Sequence, residues 1–267
     1  MKKQWIVSVL IVVIVIIAEG GLILSLINDN RKQKTQIKSL EEAVSRLSDK
    51  RGTDSPDKIT WLEDGYNYLA IGNSITIHNI TSYWWNEVGM AASDGSHDYF
   101  HLVSDYLKKN NTPFMGIPFG FSVWETQSND RNETLSLLDN YLSSEIDLVT
   151  IQLGENATDL VTFQEDYVSL IKHVKLKAPN ARILVIGDFW ISENRNELKK
   201  NAAEQANVEF ISLDGIADNP DFYCGVGATV YDEYGNEHIV EHSGVAKHPG
   251  DNGMQQIADR IIEVLDS

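Results

Sequence analysis

The sequence predicts an α/β protein: a three-layer α/β/α sandwich on a parallel sheet, preceded by one N-terminal transmembrane helix. Three observations predict it. From about residue 60, short apolar runs alternate with amphipathic helical patterns, as in strand–helix–strand units. Several runs, such as Ile183-Leu184-Val185-Ile186, are apolar at every position, as strands covered on both faces require. Residues 5–27 are almost continuously apolar, with Glu19 the one charge among them.

Taken in order, the first element is that N-terminal run. A helix needs about 20 apolar residues to span a bilayer. Lys2 and Lys3 precede the run, and it resumes at Leu22 after Ala18-Glu19-Gly20-Gly21, so it reads as an uncleaved signal anchor. The chain then divides into residues 1–29, a cytoplasmic tail and membrane anchor; 30–59, a helical stalk and linker; and 60–267, a globular domain. The very short N-terminal tail places that domain outside the cell. Arg31, Lys32, Lys34 and Lys38, on the far flank, count against this orientation. Ile37, Leu40, Val44 and Leu47 form a brief heptad stripe, spaced either to pair with a second copy or to stand alone as a stalk.

Strands are expected at 67–71, 113–117, 146–152, 182–187 and 208–212, and helices at 97–109, 132–142, 162–177, 193–206 and 252–265. In the third helix Phe163, Tyr167, Leu170, Ile171 and Val174 share one face, and in the last Met254, Ile257, Ile261, Ile262 and Leu265 do. No glycine-rich dinucleotide fingerprint follows the first strand, and there is no phosphate loop with its lysine, so no cofactor is expected.

Charge narrows the function. The first 50 residues hold 8 Lys+Arg and 5 Asp+Glu, so of the chain's 22 basic and 39 acidic residues, 14 and 34 lie beyond them, a net of −20. Such a surface repels nucleic acid and suits a neutral substrate. Cys224 is the single cysteine, so no internal disulfide can form, which fits a bacterial surface protein. The histidines show no regular ligand spacing, and no metal site is expected.

Three pieces carry chemistry. Gly72-Asn73-Ser74-Ile75-Thr76 follows the first strand, Gly154-Glu155-Asn156 follows the third, and His248-Pro249-Gly250-Asp251 precedes the last helix. In a parallel sheet all three gather at the carboxyl edge, where ligands bind. A serine hydroxyl is a poor nucleophile without an adjacent base, and His248 is of the right type to be one.

This order of motifs resembles the SGNH (GDSL-like) hydrolase family over roughly residues 65–266. The resemblance implies a flavodoxin-like fold, Ser74 as nucleophile and His248 as base. It implies an oxyanion hole from the Ser74 N–H, a glycine N–H and the Asn156 side chain. Gly120 fits the family order for the glycine, with Gly116 and Gly89 as alternatives. The chain departs from the family twice. Asn73 stands where Asp is usual, and Val245 stands where an Asp three residues before the histidine is usual. The imidazole is then expected to be held by a backbone carbonyl, by Glu241 or by another carboxylate, while Asp251 reads as the last helix's N-cap.

Trp84, Trp85, Trp124 and Trp190 lie in or near loops that follow strands; Trp124, Glu125 and Trp190 are the expected substrate contacts, as a rim for sugar rings. Asp188 reads as a substrate contact or a loop-fixing carboxylate. Together these features point to a membrane-anchored serine esterase that deacylates a carbohydrate. An O-acyltransferase would use the same constellation, and the missing Asp leaves room for a glycan-binding protein on a weakened hydrolase site.

Overall fold

In a computed structural model the described residues are 58–127, 130–190 and 192–267. The expected signal anchor and the heptad stripe lie outside them. Among the described residues no helix is long and apolar enough to cross a membrane.

Five strands form the central sheet: β1 (Tyr66–Gly72), β2 (Phe114–Gly120), β3 (Leu148–Gln152), β4 (Arg182–Ile186) and β5 (Glu209–Ile211). Their order is β2-β1-β3-β4-β5, parallel throughout. The helices are α1 (Tyr99–Asn110), α2 (Ser122–Thr126), α3 (Arg131–Thr134), α4 (Phe163–Lys177), α5 (Glu193–Ala206), α6 (Ser243–Ala246) and α7 (Asp251–Leu265).

Because side chains alternate along a strand, each strand feeds two cores. Leu69, Ile71, Val149, Ile151, Ile183 and Val185 pack on one face against Phe163, Tyr167 and Leu170 of α4 and Ala202 and Ala203 of α5. Tyr68, Ala70, Leu148, Leu184 and Ile186 pack on the other against Phe100 and Val103 of α1 and Met254 and Ile257 of α7. That makes three layers. Strand order reverses between β1 and β3, the place where open parallel sheets leave a crevice at their carboxyl ends.

A third, smaller core caps this edge. Trp84, Val88, Met90 and Ala91, from the loop after β1, pack with Val230 and Val240 and with Val245 and Ala246 of α6. A two-stranded antiparallel ribbon, β6 (Thr229–Tyr231) with β7 (Glu237–Ile239), belongs to this layer. Its turn is closed by the Asp232 carboxylate, which accepts from the Tyr234 and Asn236 N–H groups.

Two local expectations change. The helix expected at 132–142 is α3 followed by a tighter 3-10 turn, Leu135–Leu138. In that turn residues three apart eclipse, so Leu135 and Leu138 both reach the core. Asp251 is not the N-cap of α7. Gly250 holds that position, and the Asp251 carboxylate instead accepts from the Ser93 N–H at 2.7 Å.

Candidate active site

The chain leaves β1 through Gly72, where a side chain is impossible: an added Cβ would lie 1.8 Å from Thr76 Oγ1. Asn73 then shapes the turn. Its Oδ1 accepts from the Ile75 N–H at 3.0 Å, and its carbonyl accepts from Thr76 and Ile77. The Asn73 N–H donates to Gln152 O at 3.2 Å, so the turns after β1 and β3 emerge side by side. Ser74 sits at the top of this turn, half-buried, its carbonyl held by the Met90 N–H at 2.7 Å.

His248 arrives from the capping layer, just after α6. Its Nδ1 lies 2.8 Å from Gly244 O, and its Nε2 lies 2.8 Å from Ser74 Oγ. A carbonyl can only accept, so Nδ1 carries the ring proton and Nε2 presents a lone pair. The Ser74 hydroxyl therefore donates to Nε2, the direction that activates a serine for attack. Burial pushes the imidazole pKa down to about 4, with smaller contributions from His78 and His242, while the Gly244 carbonyl opposes the shift. The ring is neutral at pH 7. Among the described residues no carboxylate accepts from Nδ1, neither Glu241 nor Asp251.

The absence of Asp at 245 has a physical reason. Val245 is 1% exposed within the capping cluster. A carboxylate there would lose its water without gaining a cation. The backbone of α6 supplies the acceptor instead.

Asn156 stands on the turn after β3 with its side chain exposed to solvent. That turn passes through Gly154 at φ +131°, where a Cβ would press on Lys199 and Phe163 at 3.2 Å. One Asn156 Nδ2 hydrogen donates to Glu125 Oε2 at 2.6 Å, which leaves the other free. The Ser74 N–H has no acceptor among the described residues. Gly120 ends β2 opposite Gly72 in register, exposed, and an added Cβ would touch Ile77 Cγ2 at 3.4 Å. It thus lies beside the turn that carries Ser74. Gly89 is spent elsewhere: its N–H donates to the Asp98 carboxylate, and a Cβ there would strike Ile75 O at 2.5 Å.

Two of the three expected substrate contacts are corrected. Trp124 is 0% exposed, its indole packed edge-on to Tyr167 at 5.3 Å with the Arg131 guanidinium 5.5 Å from the ring. It is core, as is Trp84. Glu125 is 1% exposed and points inward. Its Oε1 accepts from Asn73 Nδ2 at 3.2 Å, Gly154 N at 2.5 Å and Asn156 N at 3.4 Å. A chain turned inward at α2 places both side chains under the site, not around it. Trp190 does stand beside His248. Its ring meets His248 edge-on at 4.8 Å, and its Nε1–H donates to Lys247 O at 3.0 Å.

Some contributors are invisible in sequence. Glu155 accepts from Asn73 Nδ2 at 3.0 Å, from Gln152 Nε2 at 2.7 Å and from the Phe189 and Trp190 N–H groups. Burial first, then Asp188, push its carboxyl pKa up to about 7, while the Lys199 charge and then the hydrogen bonds from Asn73 and Gln152 pull it back. Asp188 is the loop-fixing kind of carboxylate: fully buried, it pairs with Lys199 Nζ at 2.9 Å and with Arg195. Tyr83 stacks on His242, the N-cap residue of α6, at 4.4 Å. The only sequence hint of the Glu155 role was its place between Gly154 and Asn156.

No family model matches this chain, and no curated protein matches it. Among solved structures it is similar to a two-domain esterase active on acetylated mannans (20% identity, 75% of this chain, TM-score 0.47). The chain spans about half of that protein's length, 48%. It is also similar to a chain from Bacteroides ovatus described as a GDSL-like lipase (15% identity, 75% of this chain and 98% of that one, TM-score 0.48). A third is a salicylyl-acyltransferase from a tetracycline biosynthetic pathway (12% identity, 78% and 57%, TM-score 0.48).

Proposed function

We propose that this chain is a serine esterase of the SGNH type that removes acyl groups, acetyl foremost, from a carbohydrate at the cell surface. The observation that carries the reading is the Ser74 Oγ–His248 Nε2 hydrogen bond, with the imidazole's other nitrogen tied to Gly244 O. Ser74 Oγ attacks the ester carbonyl as its proton passes to Nε2. The oxyanion is met by the Ser74 N–H and the free Asn156 Nδ2–H, with Gly120 the glycine that the family order implies as a third donor; one such donor is worth roughly 3–4 kcal/mol. His248 then returns the proton to the departing sugar oxygen. Water repeats the sequence on the acyl-enzyme, releasing the carboxylic acid and restoring Ser74. The imidazolium formed in each half is stabilised by a neutral carbonyl, so Ser74 and His248 act as a pair.

Three features support a carbohydrate substrate. The site lies on an open surface, with Asn156 and Gly120 exposed, which suits a chain too large for an enclosed pocket. Trp190 flanks the base, and its flat ring suits a pyranose face. The strongly acidic surface suits a neutral ligand. The apolar run 5–27 supports anchoring of this domain outside the membrane, where acylated envelope glycans or nutrient polysaccharides are met.

The test is release of acetate from acetylated oligosaccharides by wild type and by Ser74→Ala, with an unacetylated oligosaccharide present as acceptor. Free acetate from wild type alone supports the esterase. Acetylated acceptor identifies a transferase instead. Equal inactivity of both proteins, with retained glycan binding, would overturn an enzymatic role.

A further inference from the structure

We propose that Glu125 is the positioning residue of this site: its buried carboxylate aims the Asn156 amide at the oxyanion and ties that amide to the nucleophile turn. The inference rests on the acyl-transfer reading of Ser74. Glu125 lies on a five-residue helix that no motif marks, and it is 1% exposed. Among the described residues its carboxylate has no ion-pair partner, unlike Asp188, which has two. It is met by N–H groups, from Asn73, Gly154 and Asn156. A buried carboxylate held by neutral donors alone is costly. All of its donors come from the two turns that carry Ser74 and Asn156.

The geometry gives that charge a task. Asn156 is exposed, and an unconstrained amide can rotate end for end. A carboxylate oxygen 2.6 Å away accepts only from N–H, so it fixes which end of the amide is nitrogen. One N–H is spent on Glu125, and the second remains for the oxyanion. The other Glu125 oxygen binds Asn73 Nδ2 and Gly154 N, setting the spacing between the Ser74 turn and the Asn156 turn. This also accounts for Asn at 73, where the resembled family usually has Asp. Here the carboxylate comes from α2, and the residue at 73 must donate to it, which Asn can do and an ionised Asp cannot.

Glu125→Gln keeps the shape and replaces one oxygen with an NH2. That donor faces either Asn156 Nδ2, forcing the amide to turn its oxygen toward the oxyanion, or the Gly154 N–H, breaking the tie between turns. We expect kcat on a chromogenic acetyl ester to fall about 100-fold or more, the size of one lost oxyanion donor, with KM within threefold. Asn156→Ala should fall similarly, and the double variant should be within threefold of Asn156→Ala alone. A merely structural role for Glu125 would make the two losses multiply. Glu125→Asp, which keeps the charge but withdraws it by one methylene, should also lose kcat and serves if the Gln variant does not fold. Wild-type kcat in either Glu125 variant, or multiplicative losses, would overturn the proposal while leaving the esterase reading intact. A wild-type chain that neither cleaves esters nor is labelled at Ser74 by a fluorophosphonate would overturn both.

Discussion

Asn73→Asp is the sharpest single perturbation this site offers, because it changes charge without changing shape. Asn73 is fully buried, and its Nδ2 lies 3.2 Å from Glu125 Oε1 and 3.0 Å from Glu155 Oε2. The substitution turns two donated hydrogen bonds into two carboxylate–carboxylate contacts. At an effective dielectric of 20, the introduced carboxylate and Glu125, about 3 Å apart, repel by roughly 5–6 kcal/mol when both are charged; Glu155, its carboxyl pushed up to about 7 by burial and Asp188, adds to this only as it ionises. Taking up a proton is cheaper, so the folded variant should hold one proton more than wild type above the unfolded aspartate pKa of about 3.9. The sign follows from linkage. A group whose folded pKa is raised binds more protons folded than unfolded, and stability is lost as pH rises. The loss is about 1.4 kcal/mol per pH unit, so the gap to wild type should widen by about 2.7 kcal/mol between pH 5 and pH 7. Urea unfolding of both proteins at pH 5, 6 and 7 measures it. Parallel pH dependences, or a gap that widens toward acid, would refute the picture of two carboxylates facing Asn73.

Three further predictions address the base. On the proposed function, with His248 depressed to about 4 by burial, the acidic limb of kcat/KM should fall near pH 4 and not near the ordinary 6.5, leaving esterase activity intact at pH 5.5; a limb at 6.5 would show an unburied imidazole. The same depression means that folding releases a proton between pH 4 and 6.5, so stability should decline as pH falls through that window, by about 3 kcal/mol at most. Val245→Asp, which restores the family's usual residue, should not raise kcat and should cost about 3–5 kcal/mol, from lost apolar burial plus a desolvated carboxyl group. A variant as stable as wild type and more active in the ester assay would show that the capping cluster does not exclude the acid.

The reach of sequence reading differed from residue to residue. The strand runs and helical faces were legible because burial on two faces leaves a plain record of apolar residues; β3, β4, α4 and α5 lie where periodicity put them. The β6–β7 ribbon was not legible, since three-residue strands carry too little alternation, and its turn depends on one side chain, Asp232. Ser74 and Asn156 could be singled out because they sit in short motifs at strand ends, and His248 because its motif precedes the last helix. Trp124 and Glu125 were placed on the wrong side of the surface. Sequence marks a residue as following a strand, but not whether a one-turn helix there points its side chains to solvent or under the sheet.

By itself, the sequence determined the layered α/β plan, the carboxyl-edge location of Ser74 and the lack of an acid three residues before His248. Each follows from local chemistry: apolar periodicity, a turn after a strand, a residue type at a spacing. Only the tertiary structure decided what replaces that acid, which glutamates face Asn73, and that Glu125 serves Asn156. The last two depend on residues 31 to 82 positions apart meeting within hydrogen-bond distance; the first is a local contact, Gly244 to His248, carried to Ser74 across 174 positions. Their meeting is set by how β1 and β3 align and how the capping core packs, which no local pattern records.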